Sequence, residues 1–530
     1  MSENMKEKKN LELNMSRRAL IKAGAAGGLL AMTPAWASKA FAETGCSELT
    51  AAITGFTTIN TLDPSHATLI PEFYVLWGVF NSLVKFNEDM EIVPDLAESY
   101  EIVSPTVLRF KLRDGVKFHD GHDVTAEDVK FSLERTMDES QGSPHRSKYE
   151  AVSEVKVLNR LEIEIITREP FAPMLSYLTN TRTGSQIVPK HLLENGTPDD
   201  FSTSPVGTGA YRVTNMESGA SVTLESFNEY FVADQPKVPK INIPLISEES
   251  AGVTALLGGN VDITSTAPFS DVKNLKEDSR VQVLSSPGVN TRFISLNTQA
   301  APFDDVHFRR ALSMAFSRQA MVDVVLFGEG KVAKGVIPSS ISWAGRKETS
   351  EILSMNAEKA MEELSKSAYP ADTEVKLLTW GSGWWKRFAE VFALQVNQTL
   401  GTNISVEVSE SGAVYQRKQT GDFQASIWGW LGLIDPDEYA FEILHTDGWR
   451  NYGGYSNPEV DALLEQARRE FDQSARGDLY RQAEAIMQED CPVIPCFESN
   501  IHNLLAPDVR GFKQIPYSAF GSQFSSISDC

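Results

Sequence analysis

Residues 108–135 read LRFKLRDGVKFHDGHDVTAEDVKFSLER, and local rules turn this run into a small folding unit. Leu108, Phe110 and Leu112 alternate with Arg109 and Lys111, the period of a strand with one buried face. Asp114-Gly115 makes a turn, Val116 to Phe118 a second short strand, and Asp120-Gly121 another turn. Thr125 and Asp128, three apart, form a capping box that satisfies first-turn N–H groups and opens a helix. Val129, Leu133 and Met137 share one face of it.

Outward from this unit the same reading continues. Ala51 to Thr58 is an opening strand, Leu62-Asp63-Pro64 a turn, and residues 73–86 a buried helix running into a short strand. Leu161 to Thr167 alternates as a strand. In the second half, Val375 to Trp380 is a strand, followed by a helix whose face is Phe388, Val391, Phe392, Val396 and Leu400. Gly401 stops the helix, and Ile404, Val406 and Val408 form the next strand. Strand, helix, strand with short links implies a parallel crossover. Residues 458–490 have the spacing of a helical hairpin. The fold class is α/β, and 530 residues exceed what one core organises, so two or more lobes are expected.

Before the folded part lies an export leader. Arg17-Arg18 precedes an apolar run rich in Gly and Ala from Ala23 to Ala37, too short for a span of roughly 20 residues. Ala40-Phe41-Ala42 is a small-x-small cleavage site, placing the mature start at Glu43. The paired arginines resemble the twin-arginine signal, with Leu20 in place of its usual Phe. The leader holds seven Lys/Arg and three Asp/Glu, so removing it takes the net charge from −22 to −26. Such acidity excludes nucleic acid as a partner, since phosphate binding needs clustered Lys and Arg. Cys46, Cys491, Cys496 and Cys530 allow three full pairings. Cys491 and Cys496 flank an extended Pro-Val-Ile-Pro; such a segment covers about 17 Å, beyond the ~7 Å disulfide limit, so pairing them needs a turn. Glu43, three before Cys46, argues against a lipid anchor.

The 108–135 stretch resembles the signature of the periplasmic binding proteins of peptide and nickel ABC importers, the family 5 extracellular solute-binding proteins. Further landmarks keep the family's order: Leu62-Asp63-Pro64, PVGTGAY at 205–211, ALLGGNVDI at 255–263, SLNTQAAPFDDVHFRRAL at 295–312, GDFQASIWGWLGLIDPDEY at 421–439 and PVIPCF at 492–497. The resemblance implies a bilobal periplasmic-binding-protein fold with a hinge and an insertion domain in lobe I. The implied division is a signal peptide at 1–42, lobe I at 43–85, 205–289 and 500–530, the insertion domain at 86–204, and lobe II at 290–499, with hinge crossings near 288–290 and 498–500. It also implies an inner-membrane ABC permease as partner, a monomer, a periplasmic location, no cofactor and no enzymatic activity.

For the ligand, the resemblance points to Gly429, Trp430 and Leu431 as a cleft segment whose backbone pairs with an extended guest. Thr68, Leu69 and Ile70 match the lobe I segment that lines the cleft in relatives. Trp380 and Trp384 lie where a strand ends and a helix starts, a common place for ligands. Arg292 offers its fork to a ligand carboxylate. Peptide-binding members carry Ala-Asp-Tyr after the tryptophan, the Asp neutralising the ligand's α-ammonium; here Gly432-Leu433-Ile434 stand instead. Either the guest lacks that ammonium, with Leu433 against it, or Asp435 or Asp437 replaces the lost acid. The expected guest is a peptide or peptide-like solute, the alternative a non-peptide one such as an opine-like conjugate or an oligosaccharide.

His119-Asp120-Gly121-His122-Asp123 has metal-ligand residue types but belongs to the signature's turn and helix cap, and no metal is expected there. No Gly-x-Ser-x-Gly elbow, phosphate loop or His-Glu-x-x-His is present. An exported cofactor-bearing enzyme is the rival from another class, suggested only by the leader; a sensory receptor handing its closed form to a chemoreceptor is a third. Replacing Arg17 and Arg18 together by lysine is expected to hold the protein in the cytoplasm, which cell fractionation checks.

Overall fold

Apolar strands buried on both faces build the middle of the molecule. In the computed structural model, which describes residues 46–530 apart from positions 199, 382, 432, 433, 518 and 519, one twelve-stranded mixed sheet runs through both lobes. At one end Glu374–Trp380 pairs in parallel with Asn403–Ser409 and with Ala425–Leu431. Ala425–Leu431 then pairs antiparallel with Asn290–Leu296, which pairs with Val493–Leu505. At the other end Leu49–Thr54 lies parallel to Ile263–Thr264 and Lys240–Ile246, with the hairpin Tyr211–Glu217 and Ser221–Ser226 beyond.

Val493–Leu505 belongs to both ends. Its residues 493–497 pair with Asn290–Leu296, and residues 500–505 pair with Gln282–Pro287. Gln282–Pro287 and Asn290–Leu296 follow one another with only Gly288 and Val289 between them. Two strand segments therefore cross side by side from one half to the other.

A separate four-stranded sheet holds Ala97–Ser104, Val107–Leu112, Glu162–Thr167 and Val152–Asn159 in that spatial order. The helix Ala126–Met137 starts where expected: both the N–H and the hydroxyl of Thr125 donate to the Asp128 carboxylate, at 2.9 and 2.8 Å. Val116 to Phe118 is not a strand. Its pairing shrinks to one bridge between Lys117 and Asp123, because the tight turn at Asp120-Gly121 returns the chain after too few residues to build a ladder. The opening strand ends at Thr54 rather than Thr58, where Gly55 turns the backbone at φ +81°. The crossover around Trp384–Leu400 is parallel, and Gly401 closes that helix in the left-handed region at φ +70°, where a Cβ is disfavoured. Among the described residues no helix is long and apolar enough to cross a membrane.

The cysteines resolve into one disulfide, Cys46–Cys530, with Cα atoms 5.1 Å apart, and two buried free thiols, Cys491 and Cys496. Burial pushes these thiols up to about 11 and about 12, so they stay protonated and unreactive at neutral pH. Replacing both Cys46 and Cys530 by serine is expected to cost about 2–4 kcal/mol, read from denaturant unfolding. Under native conditions Cys491 and Cys496 are expected to resist alkylation.

Candidate functional site

Segments distant in the chain meet along a seam that Phe269 with Trp384 and Lys148 with Glu438 cross. Residues 60–69 form a loop fixed from within: the Glu72 carboxylate accepts the N–H groups of Asn60, Thr61, Thr68 and Leu69 at 2.7–3.3 Å. Four donors on one buried acid hold Thr68, Leu69 and Ile70 in place ahead of their helix, with Thr68 exposed and the next two half-buried. Asp63, of the Leu-Asp-Pro turn, accepts two bonds from Arg135 at 2.9 and 2.6 Å, tying this loop to the signature helix. That pair, together with His66, holds the Asp63 carboxyl well below the usual carboxylate range despite its burial.

In the strand Ala425–Leu431, Trp428 and Trp430 point to one face and Gly429 to the opposite face. Gly429 stands across from Arg292 in the ladder. A Cβ at Gly429 would sit 2.4 Å from Arg292 Cδ, so only glycine lets the arginine cross the sheet there. The guanidinium then lies 5.4 and 5.0 Å from the rings of Trp384 and Trp385. Trp384 stacks on Trp385 with centroids 4.1 Å apart, Trp380 lies tilted against Trp385 at 4.4 Å, and Trp380 meets Trp428 edge-on at 5.5 Å. Phe269 bridges the seam, 6.2 Å from Trp384 and 5.9 Å from His502.

Among the described residues, several buried polar atoms here make no hydrogen bond: Arg292 Nε, Trp430 Nε1, Thr291 Oγ1 and both ring nitrogens of His502, whose Nε2 lies 3.6 Å from the Glu329 carboxylate. Arg292 is 7% exposed. Burial brings its pKa down to about 10, so it remains a cation at neutral pH. Among the described residues its side chain makes one long hydrogen bond, Nη1 to the Trp430 carbonyl at 3.5 Å.

The acids after Trp430 are all engaged. Asp435 caps the helix Pro436–Leu444 by accepting Asp437 N–H, and it pairs with Arg476 at 2.6 and 2.9 Å. Asp437 pairs with Arg468 at 2.7 and 2.8 Å. The expectation that Asp435 or Asp437 replaces the missing ammonium-binding acid therefore meets carboxylates already neutralised by arginines. Leu431 ends its strand opposite Asn290, and Leu433 lies outside the described residues, as do Arg17, Arg18 and Ala42 of the leader.

Sequence reasoning missed the charge cluster that crosses the seam. Lys148, from the segment after the signature helix, reaches Glu438 at 2.5 Å and Glu442 at 3.4 Å, all three buried. Arg450 donates to Glu442 at 2.6 Å and lies 3.6 and 3.8 Å from the rings of Trp430 and Trp449. Ser176 and Tyr177 reach Asp435 and Asp437 from the same side as Lys148, at 3.0 and 3.1 Å. Glu438 and Glu442, four apart on a helix, were the sequence signal for paired charges on one face. Their partner, 290 residues earlier, was not.

His119 is half-buried, its Nδ1 accepting Gly207 N–H and its Nε2 donating to the Gly209 carbonyl, so it braces the PVGTGAY turn. Asp120 and His122 instead meet His191, with candidate ligand atoms within 4.8 Å of one another. Asp120 accepts from the His191 ring at 2.7 Å and from the His122 backbone N–H at 3.2 Å, with the His122 ring also 3.2 Å away.

Residues 91–451 match the family model of bacterial extracellular solute-binding proteins, family 5 Middle. The chain belongs to that family. Among family 5 proteins it is similar to a dipeptide-binding protein of Pseudomonas aeruginosa, 27% identical over 83% of this chain and 87% of the relative. It is also similar to the glutathione-binding protein GsiB of Pectobacterium atrosepticum, 26% identical over 98% and 99%, and to heme-binding protein A of Haemophilus influenzae, 29% identical over 83% and 86%. Among solved structures, DppA from Helicobacter pylori with peptide STSA matches at TM-score 0.79 and 23% identity, covering 92% of this chain and 99% of that one. AgaA from A. tumefaciens with agropinic acid matches at TM-score 0.78 and 25% identity, covering 91% and 99%. The bilobal fold of this family 5 protein and its role as a binder of solute follow.

Removing one partner of a buried ion pair leaves a buried charge uncompensated. Lys148→Met is therefore expected to destabilise the protein by about 3 kcal/mol, and Glu438→Gln in the same chain to restore part of it. A double-mutant cycle by denaturant unfolding measures the coupling.

Proposed function

We propose that this protein is the periplasmic solute-binding component of an ABC importer, exported by the twin-arginine route and delivering its guest to an inner-membrane permease. The observation that carries the reading is the set of buried polar atoms without a hydrogen bond among the described residues: Arg292 Nε, Trp430 Nε1 and Thr291 Oγ1. A folded protein satisfies buried donors, and exceptions call for a reason. Here the reason is a guest that supplies the missing acceptors when the lobes close on it. The aromatic stack of Trp380, Trp384 and Trp385 and the wall of Trp430 provide the apolar contact.

In this reading residues 43–85, 205–289 and 500–530 act as lobe I, 86–204 as its insertion domain, and 290–499 as lobe II. Opening rotates the backbone at 288–290 and 498–500, where the two crossing strand segments change partners. A guest favours the closed form only by touching both sides, as Thr68 to Ile70 and the Trp430 strand together do. The guest leaves chemically unchanged, and the protein works as a monomer. The relatives' names span dipeptide, glutathione and heme, so kinship sets the mechanism of capture and leaves the guest to local chemistry.

Protein isolated from the periplasm is expected to release a small molecule on denaturation, identified by mass spectrometry. Adding that compound to the emptied protein at a hundred times its dissociation constant should stabilise it by about 2.7 kcal/mol, and Trp430→Ala should weaken binding at least tenfold. Recovery of no compound, with no stabilisation by any candidate solute, would refute the reading.

A further inference from the structure

We propose that Asp120, His122 and His191 form a surface site for a divalent transition-metal ion of zinc's ligand preference. The turn of the 108–135 unit supplies only two of these ligands, which is why it reads as a helix cap with no metal expected. The third arrives from 71 residues beyond Asp120 and is visible only in three dimensions.

Local structure aims all three side chains at one place. Gly121 N–H donates to the Phe118 carbonyl at 2.9 Å and Phe118 N–H to the His122 carbonyl at 2.8 Å, which folds the chain back between Asp120 and His122. Gly121 stands at φ +90°, a conformation that a Cβ disfavours. His122 N–H donates to the Asp120 carboxylate at 3.2 Å and fixes its direction, as outer bonds do for metal-binding carboxylates. His191 sits on the short helix Lys190–Leu193, which the capping box anchors. One oxygen of Asp128 accepts Thr125 N–H, and the other accepts Lys190 N–H at 3.0 Å. The same acid that opens one helix thus delivers the third ligand on another. The Phe118 ring flanks His191 edge-on, centroids 6.2 Å apart.

The distances suit an ion. A tetrahedral zinc bound at about 2.0–2.2 Å to nitrogen and oxygen separates its ligand atoms by roughly 3.4 Å. Asp120 oxygens already stand 2.7 Å from His191 Nε2 and 3.2 Å from His122 Nδ1. One ligand atom of each side chain lies within 4.8 Å of the other two, and the two rings are 3.9 Å apart, so small ring rotations close the set. Among the described residues this is the one group of three such side chains that converges in this way.

Charge and exposure agree with geometry. No lysine or arginine pairs with Asp120 among the described residues; the two histidines are its charged or chargeable neighbours. Two imidazole nitrogens and one carboxylate oxygen select a borderline ion over magnesium and calcium, which take oxygen ligands. Three protein ligands leave a fourth position to water, the pattern of an open site. The side chains of Asp120, His191 and His122 are 24%, 30% and 63% exposed, so the ion has an entry path from solvent. None of the three belongs to the seam, and the site is independent of what the cleft binds.

The test uses the full mature protein without a histidine tag, freed of metal by EDTA and titrated by calorimetry with zinc chloride alone, magnesium chloride serving as control. The expected result is one zinc ion per chain at micromolar affinity or tighter, with no binding of magnesium. His122→Ala, His191→Ala and Asp120→Asn should each weaken zinc binding at least tenfold, every variant being checked for a folded circular dichroism spectrum. Cobalt(II) in place of zinc should give the visible absorption bands of a tetrahedral site, lost in His191→Ala. Zinc binding in the millimolar range alone means an adventitious ion only and overturns the proposal. Micromolar binding that is unchanged in folded His122→Ala or His191→Ala also overturns it, since the ion then sits elsewhere.

Discussion

The two halves of this molecule share a strand. Val493–Leu505 gives its first residues to the ladder with Asn290–Leu296 and its last to the ladder with Gln282–Pro287. Backbone hydrogen bonds at both ends fix each half internally, and the residues between, Glu498 and Ser499, pair instead with the short strand Gly330–Val332. A connection of this kind restricts relative motion to a bend, because sliding or separation would break a ladder. Everything proposed for the seam follows from that restriction. The same residues return to the same partners each time the halves meet, so a set of donors can be left waiting for one guest.

Polar contacts cross the seam beside the apolar ones. Lys148 with Glu438 and Glu442, Ser176 with Asp435, and Tyr177 with Asp437 are buried or nearly so. Water can take over every one of these bonds when the halves part, which an apolar interface does not allow. Such pairs contribute little net energy against full hydration, so they select one closed geometry without making it irreversible. A receptor that must release its cargo needs this balance.

How much of this was legible in the sequence depends on how local each feature is. The helix opened by Thr125 and Asp128, the glycine stop at 401 and the parallel crossover around Trp384–Leu400 rest on neighbours in the chain, and they came out of pattern alone. The strand at Val116 failed because alternation over three residues cannot tell a ladder from a single bridge. Arg292 and Gly429 were both candidates, but nothing in the chain tells that one crosses over the other, since they are joined only by register. Asp435 looked like a free acid beside a turn. Arg476, 41 residues on, could be placed against it only in three dimensions.

The bond between Cys46 and Cys530 sets an order of events. Disulfides form in oxidising compartments, and on the twin-arginine route proposed above the chain would fold in the reducing cytoplasm before it crosses. Two sulfurs 484 residues apart must then already be neighbours when the oxidant first reaches them. The bond would be a seal on a finished article rather than a guide to its assembly, with noncovalent packing alone carrying the protein through the passage.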